Sequence, residues 1–233
     1  MEFELIIKNY WDYYLELERE VAEVRKYVEF DKSNYNCFSI EFLKLYQAIC
    51  SEIDTLGKYL AKILDNSFDQ DSRHNNINKW WYIVSNKLEI TEDIKDGWIK
   101  DKKVNIKNFK IMNYVLMIED NPWKDFELEQ YFNSKGSSCL RHKEKSHTPK
   151  WWHEYNKVKH LRTSLNQENE QINYAYANLG NVLNSLMALY ILEIGLIQLS
   201  GSKNDLQSFM NDSLFFEKKS WASDEYISTL INY

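Results

Sequence analysis

From Ser39 to Leu64 the apolar residues Phe42, Leu45, Ile49, Ile53, Leu56, Leu60 and Ile63 recur at steps of three or four, without a break. Only a helix places such residues on one side, so this stripe commits the segment to an amphipathic helix, with Ser39 as its N-cap. Two prolines and six glycines in 233 residues leave few breakers for tight hairpins, so long helices become the default and an all-β fold is excluded. The chain is long enough for one core without disulfide staples, and a single domain over residues 1–233 is expected.

The same spacing predicts further helices. Leu5, Ile7, Tyr10, Trp11, Tyr14, Leu17, Val21 and Val24 mark a first helix from about Leu5 to Tyr27. A short third helix, Ile77 to Leu88, carries Trp80 and Trp81. From Ile90 to Phe132 the periodicity fades: Val104 to Ile106 and Lys110 to Ile118 fit short strands or further helix, and a small insertion such as a hairpin is expected, over about residues 90–147. Asn133 to Ser138 has loop composition, and the basic run Arg141 to His147 continues it. Thr148 and Pro149 read as N-cap and first helical residue of a helix reaching about Leu165. Another helix spans about Ile172 to Leu199, closed by Gly201, and one or two short helices follow, with Trp221, Tyr226, Ile227 and Leu230 making apolar contacts. The fold class is therefore expected to be all-α, a helical bundle with a small irregular or short-strand insertion.

Charge and cysteine usage narrow the function. A net charge of −6 argues against a surface devoted to nucleic acid, while leaving room for a local basic strip. Cys37, Cys50 and Cys139 form no C-x-x-C pair, so neither a disulfide framework nor a metal site is expected, and no cofactor is indicated. The start Met1-Glu-Phe-Glu4 lacks the features of an export signal, and the apolar stretch Val182 to Leu199 is interrupted by Asn184, Ser185, Glu193 and Gln198. A cytoplasmic chain without membrane contact is the expectation.

Chemistry concentrates on Pro149-Lys-Trp-Trp-His-Glu-Tyr-Asn-Lys-Val-Lys-His-Leu-Arg162. On a helix, Asn156, His160 and Thr163 share one face, with Lys159 at its edge, Trp152 and Tyr155 bordering it, and Trp151, Val158 and Leu161 turned inward. An amide and an imidazole one turn apart beside a lysine can grip a phosphate and move a proton. The same spacing is equally that of an ordinary polar pair. On the second helix, Glu52 falls on the apolar side and Asp54 is spaced to pair with Lys58. Either carboxylate can orient His160 across a helix interface or sit in an internal salt bridge to Lys58 or Arg162. Arg141 and His147 form a second arginine–histidine spacing, but in a segment read as loop.

The α-helical motif ending at Arg162, together with Tyr27-Val-Glu-Phe30, Phe38-Ser-Ile-Glu-Phe42, Cys50-Ser-Glu-Ile-Asp54, Ala177-Asn-Leu-Gly-Asn181 and Leu186-Met-Ala-Leu-Tyr190, resembles bacterial members of the HEPN superfamily. The resemblance implies a helical bundle that forms homodimers. It also implies a metal-independent endoribonuclease of toxin–antitoxin or phage-defence systems, with RNA and a cognate antitoxin or defence protein as partners. It places Asn156 and His160 on the family's polar residue and histidine, with Lys159, Glu52 and Asp54 completing the catalytic set and Trp152, Tyr155, Lys157 and Arg162 as substrate-binding candidates. The family's arginine position holds Tyr155. Arg162 lies two residues past His160, turned about 200° away along a helix, so Lys157, Lys159 or a partner's arginine would have to supply the missing charge. A HEPN-like binding or sensor module that does not cut RNA is the alternative.

Overall fold

The computed structural model describes residues 2–92, 102–114, 116–166, 170–200 and 213–218. Three long helices carry the framework: α1 (Glu2–Val24), α2 (Ile40–Leu64) and, after α3 (Ile77–Lys87) and α4 (Lys150–Leu161), α5 (Leu179–Leu199). Ser39 caps α2 by accepting from the Phe42 amide at 3.1 Å, so local chemistry sets its start. The stripe from Phe42 to Leu60 is buried against α1, α3 and α5.

Helix α5 is apolar all round and sits at the centre. By length and composition it is apolar enough to cross a membrane, yet most of that stretch is buried inside the fold, as in a core helix. Its start is set by Asn178, whose side chain accepts from the Asn181 amide at 3.0 Å. The single helix expected from Ile172 is thus two elements, a one-turn 3₁₀ segment, Asn173–Tyr176, and then α5. Gly201 and the apolar residues from Trp221 to Leu230 lie outside the described residues.

The all-α expectation does not hold. Among the described residues, seven short strands form three antiparallel sheets: β1 (Glu89–Glu92) with β2 (Lys102–Asn105); β4 (Ile118–Asp120), β3 (Ile111–Asn113) and β7 (Phe216–Lys218) in that order; and β5 (Leu128–Phe132) with β6 (Ser138–His142). Registers include Ile90↔Val104, Ile111↔Asp120, Ile111↔Lys218 and Gln130↔Leu140. Arg141 therefore belongs to β6, where it pairs with Glu129 at 2.7 Å, and not to a loop. The fold is mixed: helices, with small antiparallel sheets packed against them.

Nor is the strand-bearing region an appendage. Trp81 of α3 stacks on Trp123 with ring centroids 4.4 Å apart, Phe126 stacks with both rings, and Trp151 of α4 meets Trp123 edge-on at 5.1 Å. Indole hydrogen bonds lock the cluster: Trp81 Nε1 donates to the Phe126 carbonyl and Trp123 Nε1 to that of Ala188 on α5. One apolar core thus runs through helices and sheets together.

Trp80 reaches across to α2, where Gly57 leaves the gap for its ring. A Cβ on Gly57 would lie 2.7 Å from three ring atoms. Gly57→Ala is therefore expected to cost about 1–3 kcal/mol in urea unfolding, since Trp80 is wedged on both sides. A loss under about 0.5 kcal/mol would mean that the ring swings aside freely.

Candidate functional site

Helix α4 begins one residue later than expected. Pro149, extended at φ −50° and ψ 134°, occupies the cap position without a side-chain cap, and its carbonyl accepts from the Trp152 and His153 amides. The buried face comprises Trp151, Trp152, Glu154, Tyr155 and Val158, and the Tyr46 hydroxyl donates to the Trp151 carbonyl. Leu161, expected to point inward, is instead exposed. The helix ends at Leu161 rather than Leu165, because the Leu161 carbonyl accepts from the Ser164 amide and the Asn173 side chain and the chain turns there. Thr163 consequently leaves the face it was expected to share with Asn156 and His160.

Between α2, the start of α3 and α4 lies a cleft of about 410 Å³. Ser51 and Asp54 line it from α2, Asn75 to Asn78 from the α3 start, and Trp152, His153, Tyr155, Asn156 and Lys159 from α4. Five of the candidates from the sequence therefore meet in one place: Asp54, Trp152, Tyr155, Asn156 and Lys159. Their freedom differs. Asp54 is occupied on both oxygens, Oδ1 accepting from Trp80 Nε1 at 3.1 Å and Oδ2 from Lys58 Nζ. The Asn156 Nδ2 donates back to the Trp152 carbonyl at 3.1 Å, while the Lys159 ammonium lies 5.5 Å from the Tyr155 ring centre. Burial, then Cys50 and Asp54, push the Tyr155 hydroxyl up to about 12, so it stays protonated as a donor.

The remaining candidates lie elsewhere. His160 is exposed on the last turn of α4 and does not line the cleft. Glu52 is half-buried on the opposite side of α2 from Asp54, as two helical residues must be, turned about 200° apart. Burial raises the Glu52 pKa, and its neighbours are on α1 and α5: burial first, then Glu52, Glu193 and Tyr59, push the Tyr10 hydroxyl up to about 12. Lys157 sits 5.3 Å from the Tyr176 ring centre, and exposed Arg162 follows the end of α4. Glu52, Asp54 and His160 are thus not brought together at one site.

Sequence reading passed over His153, exposed in the cleft three residues before Asn156, and the amides Asn75, Asn76 and Asn78. His153 stood inside the motif, and its i, i+3 spacing to Asn156 was the available signal. Nothing local tied the asparagines to α4, since α3 brings them there only through packing. The Asn78 Oδ1 atom is buried without a hydrogen-bond partner among the described residues.

Among the described residues, no three of His, Cys, Asp and Glu gather as metal ligands would. No family model, curated protein or solved structure matches this chain.

Proposed function

We propose that this chain is a HEPN-like binding module of the cytoplasm that takes a short single-stranded RNA segment into the α2–α3–α4 cleft without cutting it. One observation carries the reading: the motif residues His153, Asn156 and Lys159 share the cleft with Asn75, Asn76 and Asn78 at the start of α3, while His160 stands outside it and Asp54 is fully engaged. Amides are suited to the edges of unstacked bases, and a lysine at the rim to a phosphate. The net charge of −6 limits such contact to a short segment. Homodimer formation and a role beside a defence or antitoxin partner come with the resemblance.

A metal-independent endoribonuclease is the second reading, favoured by the exposed His153 beside Asn156 and Lys159. In that version His153 takes the proton from a ribose 2′-hydroxyl, the role assigned to His160 from the sequence.

Fluorescence anisotropy with mixed-sequence single-stranded RNA in EDTA, followed by a gel, separates the two. Saturable binding with intact RNA, weakened about tenfold by Lys159→Ala and unchanged by His160→Ala, is the expected result. Cleavage abolished by His153→Ala would replace binding with catalysis at this cleft. Cleavage abolished by His160→Ala, or no binding at low salt, would overturn the assignment.

A further inference from the structure

We propose that a second cleft, on the other side of α4, binds a small organic cation bearing a planar guanidinium group. This cleft, about 520 Å³, lies between the N-terminal ends of α4 and α5, the loop at Tyr35 and the turn after β4. Its size suits a small molecule.

At its base stands Glu154, whose side chain is only 8% exposed. Glu154 Oε2 accepts from Asn181 Nδ2 at 2.7 Å. The second Asn181 amide hydrogen goes to the Tyr176 carbonyl at 2.8 Å, so the carboxylate is held in one orientation. The other oxygen, Oε1, faces Lys150 Nζ at 3.7 Å, beyond hydrogen-bonding distance, and the Lys150 side chain is 84% exposed. A sequestered carboxylate with one oxygen lacking a close donor favours a ligand that brings N–H groups.

Charge and shape narrow that ligand further. Asp120, Asp125 and Glu154 line the cleft against Lys124 and Lys150, and Lys124 is taken up by Asp120 at 2.7 Å, which leaves one net negative charge. Aromatic rings of Tyr35 and Tyr176 form walls. Gly180 allows the first to sit close: a Cβ there would lie 3.1 Å from the Tyr35 ring. A guanidinium satisfies all three features, since its fork matches a carboxylate and its plane stacks on rings, whereas an ammonium offers neither.

Isothermal titration of the full chain with agmatine tests this, with putrescine and guanosine monophosphate as ammonium and anionic comparators. Agmatine is expected to bind saturably below about 1 mM, with putrescine at least about tenfold weaker and the nucleotide not detected. Glu154→Gln keeps an acceptor for Asn181 and removes the charge, and should weaken agmatine at least about tenfold at unchanged melting temperature. Should that variant unfold, Lys150→Ala, at an exposed side chain, serves instead: removal of the competing ammonium is expected to tighten agmatine binding. Absence of saturable binding, equal binding by Glu154→Gln or by putrescine, or weaker binding by Lys150→Ala would overturn the proposal. Lys159→Ala, in the other cleft, should leave agmatine binding unchanged.

Discussion

Replacing Glu18 with leucine is expected to remove about 3–5 kcal/mol of stability. Glu18 lies on α1, fully buried, and its carboxylate gathers donors from a segment nearly 200 positions away. Oε1 accepts from the Tyr14 hydroxyl at 2.7 Å, the Ser213 hydroxyl at 2.8 Å and the Phe215 amide at 3.1 Å, and Oε2 from the Leu214 amide at 2.7 Å. Burial raises its pKa, and those hydrogen bonds pull the other way. Leucine would fill the space but strand the Leu214 and Phe215 amides without their acceptor, while the Tyr14 hydroxyl keeps Ser213 as a partner at 3.2 Å. Phe215 and Phe216, which pack against Phe30 and Tyr190, would lose their anchor to α1. Glutamine should keep about half of the effect, because one acceptor oxygen survives. Urea unfolding gives the magnitude, and amide exchange at Leu214 and Phe215 reports whether β7 detaches first. A loss below about 1 kcal/mol for leucine would mean that these donors find other partners.

Glu193 on α5 should behave in the opposite way, with Glu193→Leu gaining about 2–4 kcal/mol at pH 8. Its side chain is fully buried, and neither carboxylate oxygen has a hydrogen-bond partner among the described residues. Burial, with the Glu52 carboxylate adding to it, holds the Glu193 pKa well above the ordinary value of 4.5. The folded chain therefore keeps a proton that the unfolded chain releases. Stability from this group is whole below the unfolded value of 4.5 and declines as pH rises, until the folded-state pKa is passed. The decline is up to about 1.4 kcal/mol per pH unit. Leucine abolishes the titration and the orphaned oxygens together, while glutamine abolishes only the first. Denaturation of the three chains at pH 5 and pH 8 should show a wild-type slope that both variants flatten and a gain that leucine alone delivers in full. Parallel pH dependence in wild type and Glu193→Leu would sink the idea.

Both residues show where sequence reading stops. Glu18 and Glu193 look alike on paper, each a glutamate among apolar helix positions. One is furnished with donors by residues 213–215, just before β7, and the other has none among the described residues. The candidate site divides similarly. Asn156, Lys159, Trp152 and Tyr155 meet in a cleft because they occupy successive turns of one helix, which spacing reveals. Whether Asp54 or Glu52 joins them depends on which face of α2 packs toward α4, and Trp80 and Lys58 claim Asp54 first.

Helices α1, α2 and α3 lay close to their expected bounds because a helix is specified within itself, by apolar steps of three and four and by caps such as Ser39 and Asn76. Strands of three to five residues carry too little alternation to announce themselves, and each exists only where another segment supplies its hydrogen bonds. β3 is a strand because β4 lies on one side and residues 216–218 on the other. Local sequence thus determined the helical framework and the polar face of α4. Tertiary structure alone decided the sheets, the end of α4 at Leu161 and the separation of His160 from the cleft, since each rests on contacts between segments that no single stretch contains.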